Sequence, residues 1–410
     1  METRMDEQQL IFDWNDRPET APDLKRVELD DETLRDGLQS PSVLDPPIHE
    51  KIKILHLMDR MGIHSADIGL PGAGPRAVAD VRALAREIAD GGMRIEANCA
   101  ARTMVRDVEP IARISQEAGL PIEAATFIGS SPIRQYAEDW TLERMLRTSE
   151  EAVTFAVREG LPVMFVTEDT TRARPETLKA LYENAIRWGA RRICLSDTVG
   201  HATPWGVRAL VRFVKEEIVA PSGEAVKVDW HGHRDRGFGL ANAFAAIEAG
   251  VDRVHGTALG IGERVGNVEM DLLLVNMSLL GLHDGDLTPL GEYCQRVSDA
   301  TGVAIEPGYP VFGQDAFRTG TGVHAAAIIK AEAKGDAWLA DRVYSSVPAS
   351  LVGRQQDIEV GPMAGLSNVK YWLRSRGFDA SDEELCNRIF DYAKTQNHTL
   401  TEEEIRGLIA

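Results

Sequence analysis

The chain has 410 residues, of which 43% are hydrophobic and 27% are charged, a composition typical of globular proteins. Its formal net charge of −19 argues against a nucleic-acid partner, because nucleic acids are bound by basic surfaces. The four cysteines lie far apart with no C-x-x-C motif, which argues against a zinc ribbon or a disulfide framework. With a polar N-terminus and no long apolar run, we expect a cytoplasmic protein that makes no contact with membranes.

Strand and helix patterns alternate along residues 25–284. The predicted strands are 27–31, 65–70, 93–99, 122–128, 163–169, 192–197, 226–230 and 252–258. Each is followed by a segment with apolar residues at helical spacing, at 48–62, 75–90, 105–119, 141–160, 175–190, 204–219, 239–250 and 268–281. Eight strand–helix pairs of this length predict an α/β fold, a (β/α)₈ TIM barrel, with a doubly wound open sheet as the alternative.

The segments outside the barrel differ from it in pattern. Residues 1–24 precede the first strand, and we expect them to form an N-terminal arm that packs on the body or on a partner. Residues 285–410 show helical patterns at 288–302, from about Val323, at 368–378 and at 381–410, with an irregular stretch at 344–365. The sequence therefore predicts a smaller, mostly helical C-terminal region.

Two histidines point to a metal site. The segment VKVDWHGHRDRG places His231 and His233 at the end of the seventh predicted strand, where side chains two residues apart point to the same face. Asp36 follows the first strand at the same end of the barrel and adds a carboxylate, which completes a three-ligand site for a divalent ion. Asn267, after the glycine-rich GIGERVG loop, adds an amide oxygen directly or through water. The alternative is that the histidines are solvated or hydrogen-bonded residues at a strand end.

Arg35 precedes Asp36 in the segment DDETLRDGLQSP. Beside a bound cation, its guanidinium would stabilise an oxyanion that develops on a chelated substrate. A surface ion pair between Arg35 and Asp36 is the alternative interpretation. The turn at Gly37 and the two histidines at an equivalent strand end favour the site.

The motif TLRDGLQSP and the stretch HGHRDRGFGLANAFAAIEAGVDRVHGTALGIGERVGN together resemble the acyl-CoA-condensing TIM-barrel metalloenzymes, a family that includes 2-isopropylmalate, homocitrate and citramalate synthases. The similarity continues past the barrel, where FRTGTGVHAAAIIK resembles the family's Ser-Gly-Ile-His segment and VYSSVPASLVGR its tyrosine-containing subdomain. The resemblance implies a homodimeric acyltransferase of amino-acid biosynthesis. It also implies a divalent ion (Mg, Mn, Zn or Co), acetyl-CoA and a 2-oxo acid, with the C-terminal subdomains contributing to the acyl-CoA site and to the dimer.

The resemblance further implies roles for residues outside the metal site. Arg35 would assist the substrate carbonyl, and Thr198, in LSDTVG, would hold the oxo-acid carboxylate. Glu168, in VTEDTTR, would belong to the proton-transfer network. His324, with Tyr344 reaching across the dimer, would take part in enolising the acetyl group, a step that suits a base of near-neutral pKa. A core-facing or capping role is the alternative for His324.

Several positions depart from the family pattern. Met164 and Val166 stand where homocitrate synthases have an arginine and a serine that read a distal carboxylate, and Ala125 stands where isopropylmalate synthases have a histidine. Arg234 replaces a usual asparagine or aspartate. Because an apolar pocket would leave a second carboxylate unpaired, we expect a small or branched apolar 2-oxo acid. Arg134 is the competing feature, since it would accept an acidic tail if it pointed inward.

The predicted function is therefore a metal-dependent condensation of acetyl-CoA with a 2-oxo acid, of the 2-isopropylmalate synthase type. A homocitrate synthase-like reaction with an acidic 2-oxo acid is one alternative. The RDGLQ motif also resembles hydroxymethylglutaryl-CoA lyases, but their cysteine-bearing glycine loop is missing, since GIGERVGN contains no cysteine. A barrel that binds ligands without turnover is the remaining alternative, which the intact set of candidate residues disfavours.

Overall fold

The computed structural model describes residues 10–15 and 24–409. Eight parallel strands form a closed barrel in chain order: β1 (Glu28–Asp31), β2 (Ser65–Asp67), β3 (Glu96–Arg102), β4 (Ile122–Gly129), β5 (Val163–Glu168), β6 (Arg192–Asp197), β7 (Lys227–Gly232) and β8 (Arg253–Gly256). Backbone hydrogen bonds from Glu28 N to Asp252 O and from Glu32 N to Gly256 O, both 2.9 Å, join β1 to the region of β8. The predicted (β/α)₈ barrel is confirmed, and the open sheet is wrong because its two edges are joined.

Helices follow the strands as predicted. They are α1 (Ile48–Arg60), α2 (Pro75–Gly91), α3 (Val105–Ala118), α4 (Pro132–Ala137), α5 (Leu142–Arg158), α6 (Pro175–Trp188), α7 (Pro204–Val214), α8 (Gly239–Ala249) and α9 (Met270–Leu279). After α7 the chain continues through a π-helical turn, Lys215–Val219, and a short α-helical turn, Ala220–Ser222. The short α4 was not predicted, because its six residues are too few to show a helical period.

Local sequence signals explain where these helices begin and end. Pro175 occupies the first turn of α6, where its missing N–H costs nothing, and the Thr141 hydroxyl caps α5 by accepting the Arg144 N–H at 3.2 Å. Gly189 and Gly250 end α6 and α8 with φ angles of 112° and 92°, which favour glycine. The chain can therefore turn back into the next strand.

The described chain forms two compact units. The first includes residues 101–112 and 123–255, and the second includes residues 30–100, 113–122 and 256–409. The first unit therefore carries most of β4 to β8, and the second carries β2, most of β3 and the whole C-terminal region.

The C-terminal region is mostly helical, as predicted. It contains α10 (Leu290–Thr301), α11 (Gly322–Ala333), α12 (Ala337–Arg342), α13 (Leu366–Ser375), α14 (Glu383–Thr395) and α15 (Glu402–Ile409), and the short parallel strands β9 (Arg318–Thr319) and β10 (Asp357–Ile358). A core around Trp372, Leu373, Ile389 and Ile405 holds the last three helices together. Residues 285–410 as a separate domain stays a prediction.

The predicted N-terminal arm lies largely outside the described residues. Within it, residues 10–15 are described, and Phe12 and Trp14 are exposed and in edge-to-face contact at 5.1 Å between ring centroids. Of the helices in the described ranges, none is long and apolar enough to cross a membrane.

We expect the variant Asp271→Asn to reduce the pH dependence of folding stability. Asp271 is fully buried and accepts hydrogen bonds from Leu259 N at 2.6 Å and the Tyr309 hydroxyl at 2.9 Å. Burial raises its pKa from 3.8 to about 7 against the lowering effect of these bonds. The folded state thus binds the proton of the Asp271 carboxyl more tightly than the unfolded state does. The stabilisation from this proton is complete below pH 3.8 and is lost as the pH rises towards 7, by at most about 1.4 kcal/mol per pH unit.

Urea unfolding of the wild type and Asp271→Asn from pH 4.5 to 7.5 measures this slope. Asp286→Asn is the control, because hydrogen bonds from Thr288 lower the pKa of Asp286 and its effect falls below this pH range. Equal slopes for wild type and Asp271→Asn would contradict the prediction.

Candidate active site

Asp36, His231 and His233 converge. One ligand atom from each lies within 4.8 Å of the others, a spacing that allows all three to bind one cation. A second group, Glu32, His231 and His255, meets the same criterion and shares His231 with the first.

Strand β7 places both histidines. His231 lies in β7 opposite Ser196 of β6, and His233 follows directly, with its N–H bonded to Asp197 O at 3.2 Å. The two rings are 5.2 Å apart between centroids and meet edge to face. His233 is buried and His231 is half-buried. Because side chains two residues apart point to the same face of a strand, both imidazoles lie next to each other, as predicted.

Carboxylates surround Arg35. Its Nε lies 2.7 Å from Asp67 Oδ2, its Nη2 2.5 Å from Glu32 Oε2 and its Nη1 3.5 Å from Asp36 Oδ2. Although burial alone would lower the pKa of Arg35, these three charges raise it well above its ordinary value. Burial raises the pKa of Asp67 to about 7, opposed by Arg35 and aided by Glu32. Arg35 is thus a fixed cation beside the candidate ligand Asp36, and the interpretation as a simple surface pair with Asp36 does not describe it.

The glycine-rich loop fixes Asn267. Its Nδ2 donates to Ile261 O at 3.1 Å and its N–H donates to Gly260 O at 3.1 Å. A Cβ on Gly262, whose φ is 145°, would lie 2.2 Å from Nδ2, so only glycine fits there. The side-chain oxygen of Asn267 is buried and accepts no hydrogen bond from the described residues.

This donor set fits a divalent cation. A carboxylate and two imidazoles lie within ligand spacing of one another, and the buried amide oxygen of Asn267 is of the kind that takes part in such sites. A buried acceptor without a donor is costly unless something else satisfies it. The oxygen and imidazole donors of this set suit Mg²⁺, Mn²⁺, Zn²⁺ and Co²⁺ to differing degrees.

The ends of β5 and β6 place two further candidates. Glu168 ends β5 with a half-buried side chain, and its carbonyl accepts hydrogen bonds from Ser130 N at 3.0 Å and Ser130 Oγ at 2.8 Å. Thr198 follows β6, and its hydroxyl accepts the Asp169 N–H at 2.8 Å. Hydrogen bonds to neighbouring strand ends thus fix the backbone of Glu168 and the hydroxyl of Thr198.

Met164 and Val166, which are expected to contact the side chain of the 2-oxo acid, differ in burial. Met164 is 2% exposed, packs with Ala125, and its sulfur accepts a hydrogen bond from Arg253 Nη2 at 3.3 Å. Val166 is half-buried at the edge of the same cluster. Of the two, Val166 is therefore the more accessible to a ligand.

Arg134 lies in α4 beside Glu168. Its Nη2 is 3.7 Å from Glu168 Oε2, and its Nη1 is 2.8 Å from Glu138 Oε1. A Cβ on Gly129 would lie 2.5 Å from Arg134 Cγ, so that glycine allows the side chain to lie across the end of β4. The guanidinium also stands over the Trp140 ring at 5.8 Å. The positive charge of Arg134 is thus already partly neutralised by Glu138 and Glu168.

His324 and Tyr344 form a pair within the C-terminal region. Their rings stack with centroids 4.2 Å apart and an interplanar angle of 27°. Both side chains are exposed. His324 is therefore not a core residue, and it is not the N-cap of α11, which is Thr321.

Three further side chains that contact the candidate site were not predicted from the sequence: Glu32, Asp67 and His255. Asp67 ends β2 and is 1% exposed, so a buried carboxylate at a strand end was a usable signal. Glu32 directly follows β1 in the quoted motif. His255 lies in β8 and has no second histidine two residues away, so its sequence context does not indicate a metal site.

Comparisons with known proteins agree on the fold. A model described as HMGL-like matches residues 26–295. The probable 2-isopropylmalate synthase of Ignicoccus hospitalis is 31% identical over 94% of this chain and 92% of that protein. The homocitrate synthase AksA of Methanopyrus kandleri is 31% identical over 88% and 86%, and the putative (R)-citramalate synthase CimA of the same organism is 31% identical over 93% and 72%. The solved hydroxymethylglutaryl-CoA lyase of Pseudomonas aeruginosa, 20% identical with a TM-score of 0.56 over 67% of this chain and 93% of that chain, shares the fold alone.

We expect Gly262→Ala to weaken binding of Mn²⁺ by about tenfold or more, because the new Cβ would displace the Asn267 amide. Isothermal titration of the purified protein with Mn²⁺ measures the affinity. His233→Ala should abolish binding, and Gly291→Ala, where an added Cβ meets open space within α10, should leave it unchanged. Wild-type affinity in Gly262→Ala would remove Asn267 from the site.

Proposed function

Since the chain belongs to the HMGL-like family, we propose that it condenses acetyl-CoA with a 2-oxo acid, releasing CoA and a 2-hydroxy-2-alkyl dicarboxylate. The observation that carries this proposal is the convergence of Asp36, His231 and His233, with the Arg35 guanidinium 3.5 Å from Asp36. Its relatives named 2-isopropylmalate, homocitrate and citramalate synthases support the same reaction class.

The proposed reaction joins the acetyl methyl carbon to the keto carbon and then hydrolyses the thioester. A base removes a proton from the acetyl methyl group, and the resulting carbon nucleophile attacks the keto carbon of the 2-oxo acid. A new C–C bond forms, and the keto oxygen gains a proton to become a hydroxyl. Water then cleaves the thioester, so that CoA leaves as a thiol and the acyl carbon becomes a carboxylate.

The chain's own residues supply charge and position. Asp36, His231, His233 and Asn267 would hold the divalent cation, which supplies Lewis-acid polarisation of a chelated keto group. Arg35 would stabilise the developing oxyanion, because the three carboxylates around it keep it charged and fixed. Thr198 would orient the oxo-acid carboxylate from the end of β6.

Proton transfer falls to two groups in this proposal. His324 would take the methyl proton, with the stacked Tyr344 holding its ring. Glu168, at the end of β5, would be a member of the network of groups that transfers protons during catalysis. Because His324 and Tyr344 stack within one chain, the C-terminal region would deliver both side chains to the acetyl group together. We propose a homodimeric cytoplasmic enzyme in which residues 285–410 contribute to the acyl-CoA site.

An assay of thiol release tests the reaction. We expect CoA to appear when the protein is incubated with acetyl-CoA, Mn²⁺ and a 2-oxo acid, and not when any one is left out. His324→Ala should lower kcat by at least about a hundredfold, the usual contribution of a general base. Absence of CoA release with every 2-oxo acid would contradict condensation, and formation of acetyl-CoA from a hydroxyacyl-CoA would favour a lyase instead.

We propose a small or branched apolar 2-oxo acid as the substrate. Val166 offers an apolar surface to the substrate side chain. The positive charge of Arg134 is already partly neutralised by the carboxylates of Glu138 and Glu168. A buried second carboxylate on the substrate would therefore lack a full partner, which costs more than a missing methylene.

The ratio of kcat/KM for 2-oxoisovalerate and 2-oxoglutarate measures this preference. We expect 2-oxoisovalerate to be preferred by at least about tenfold, with the ratio unchanged in Arg134→Ala. Arg144→Ala is the matched control, because Arg144 stands over the same Trp140 ring at 5.9 Å. A preference for 2-oxoglutarate that disappears in Arg134→Ala would establish the acidic-substrate alternative.

A further inference from the structure

A buried ionic network occupies the N-terminal ends of several barrel strands. Arg192, the first residue of β6, binds Asp229 Oδ1 at 2.7 Å, Glu28 Oε2 at 2.7 Å and Glu123 Oε1 at 3.2 Å. Arg253, the first residue of β8, binds Asp229 Oδ2 at 2.7 Å and Glu123 Oε2 at 2.6 Å. The two guanidinium groups therefore hold Asp229 from both sides.

Asp229 and the candidate ligands share one face of β7. Because side chains two residues apart in an extended chain point to the same face, those of residues 229, 231 and 233 lie on one side. Asp229 is 0% exposed, whereas His231, two residues further along, is half-buried. The ionic network thus ends one side-chain layer below the candidate metal ligand.

His255 joins the two layers. Its Nε2 lies 3.0 Å from Asp229 Oδ2, and its ring meets the His231 ring edge to face with centroids 5.8 Å apart. His255 is 2% exposed, and one of its nitrogens lies within 4.8 Å of a His231 nitrogen and a Glu32 oxygen. A continuous line of contacts therefore runs from Arg192 and Arg253 through Asp229 and His255 to His231.

Stability alone does not account for this arrangement. Apolar branched side chains usually fill the interior of a TIM barrel, and buried ion pairs are often no better than apolar residues of the same volume. Residues just outside the ligand set of a metal site, in contrast, commonly fix the ring orientation of its histidines. The network has the geometry for that second purpose.

We propose that Asp229 and His255 are positioning residues for His231, which they hold in the ring orientation needed to bind a divalent cation. The inference rests on the proposed metal-binding role of His231. Because both arginines already donate to Asp229, its oxygens act as acceptors and His255 Nε2 carries the hydrogen between them. The His255 ring, held by Asp229, meets the His231 ring edge to face and thereby limits the orientations open to His231.

Two substitutions of His255 separate its hydrogen bonds from its bulk. His255→Phe keeps an aromatic ring but removes both nitrogens. His255→Gln keeps one donor and one acceptor at a similar reach, so it should restore part of what the phenylalanine loses. Lys227→Met is the matched control, because Lys227 contacts Glu28 at the outer edge of the network and leaves Asp229 and His255 untouched.

Co²⁺ titration of the purified full-length protein provides a readout that does not depend on activity. We expect His255→Phe to lower Co²⁺ affinity by about ten- to a hundredfold and to alter the visible absorption of bound Co²⁺. His255→Gln should bind with intermediate affinity, and Lys227→Met should match the wild type in affinity and spectrum. Thermal unfolding of each variant without metal separates these effects from loss of fold.

Several outcomes would overturn the inference. Wild-type affinity and spectrum in His255→Phe would show that His231 needs no support, and two Co²⁺ per wild-type chain with one lost in His255→Phe would make His255 a ligand. If His255→Phe does not fold, unchanged Co²⁺ affinity in Asp229→Asn would contradict the inference equally. Absence of Co²⁺ binding by the wild type would instead refute the metal site on which the proposed function depends.

Discussion

The alternation of side chains along β7 is the constraint on which the candidate site depends. Asp229, His231 and His233 fall on one face because successive strand residues point to opposite faces. A shift of one residue in the pairing of β7 with β6 would turn all three away together. The observed register, with His231 opposite Ser196 and Gly232 opposite Asp197, therefore sets the position of two candidate metal ligands and of the carboxylate beneath them.

Glycines in two loops complete the site by allowing close approach. A Cβ on Gly37 would lie 3.0 Å from Ile261 Cγ1, and one on Gly262 would lie 2.2 Å from the Asn267 amide. The turn that carries Asp36 and the loop that carries Asn267 thus pack directly on each other. In the motifs RDGLQ and GIGERVGN, the glycines therefore allow the close packing that positions the candidate ligands Asp36 and Asn267.

The sequence was sufficient to predict the barrel, because eight strand–helix pairs each carry their own hydrophobic period. It also predicted the convergence of Asp36 with His231 and His233, since strand ends in a parallel barrel share one end. It did not predict the partners of Arg35, because Asp67 and Glu32 are brought to it by β2 and by the turn after β1. Likewise, the contact of Met164 with Arg253 depends on depth within the barrel, which a strand pattern does not specify.

Charge balance around Arg35 has a consequence for the order in which ligands enter. One guanidinium faces Glu32, Asp36 and Asp67, so these four groups carry more negative than positive charge even when Asp67 is protonated part of the time. An anionic 2-oxo acid approaching them would meet repulsion from a protein whose net charge is already −19. A divalent cation would offset this negative charge, and the same carboxylates attract it. The electrostatics of the site therefore favour a cation as its first occupant and an anionic substrate as its second.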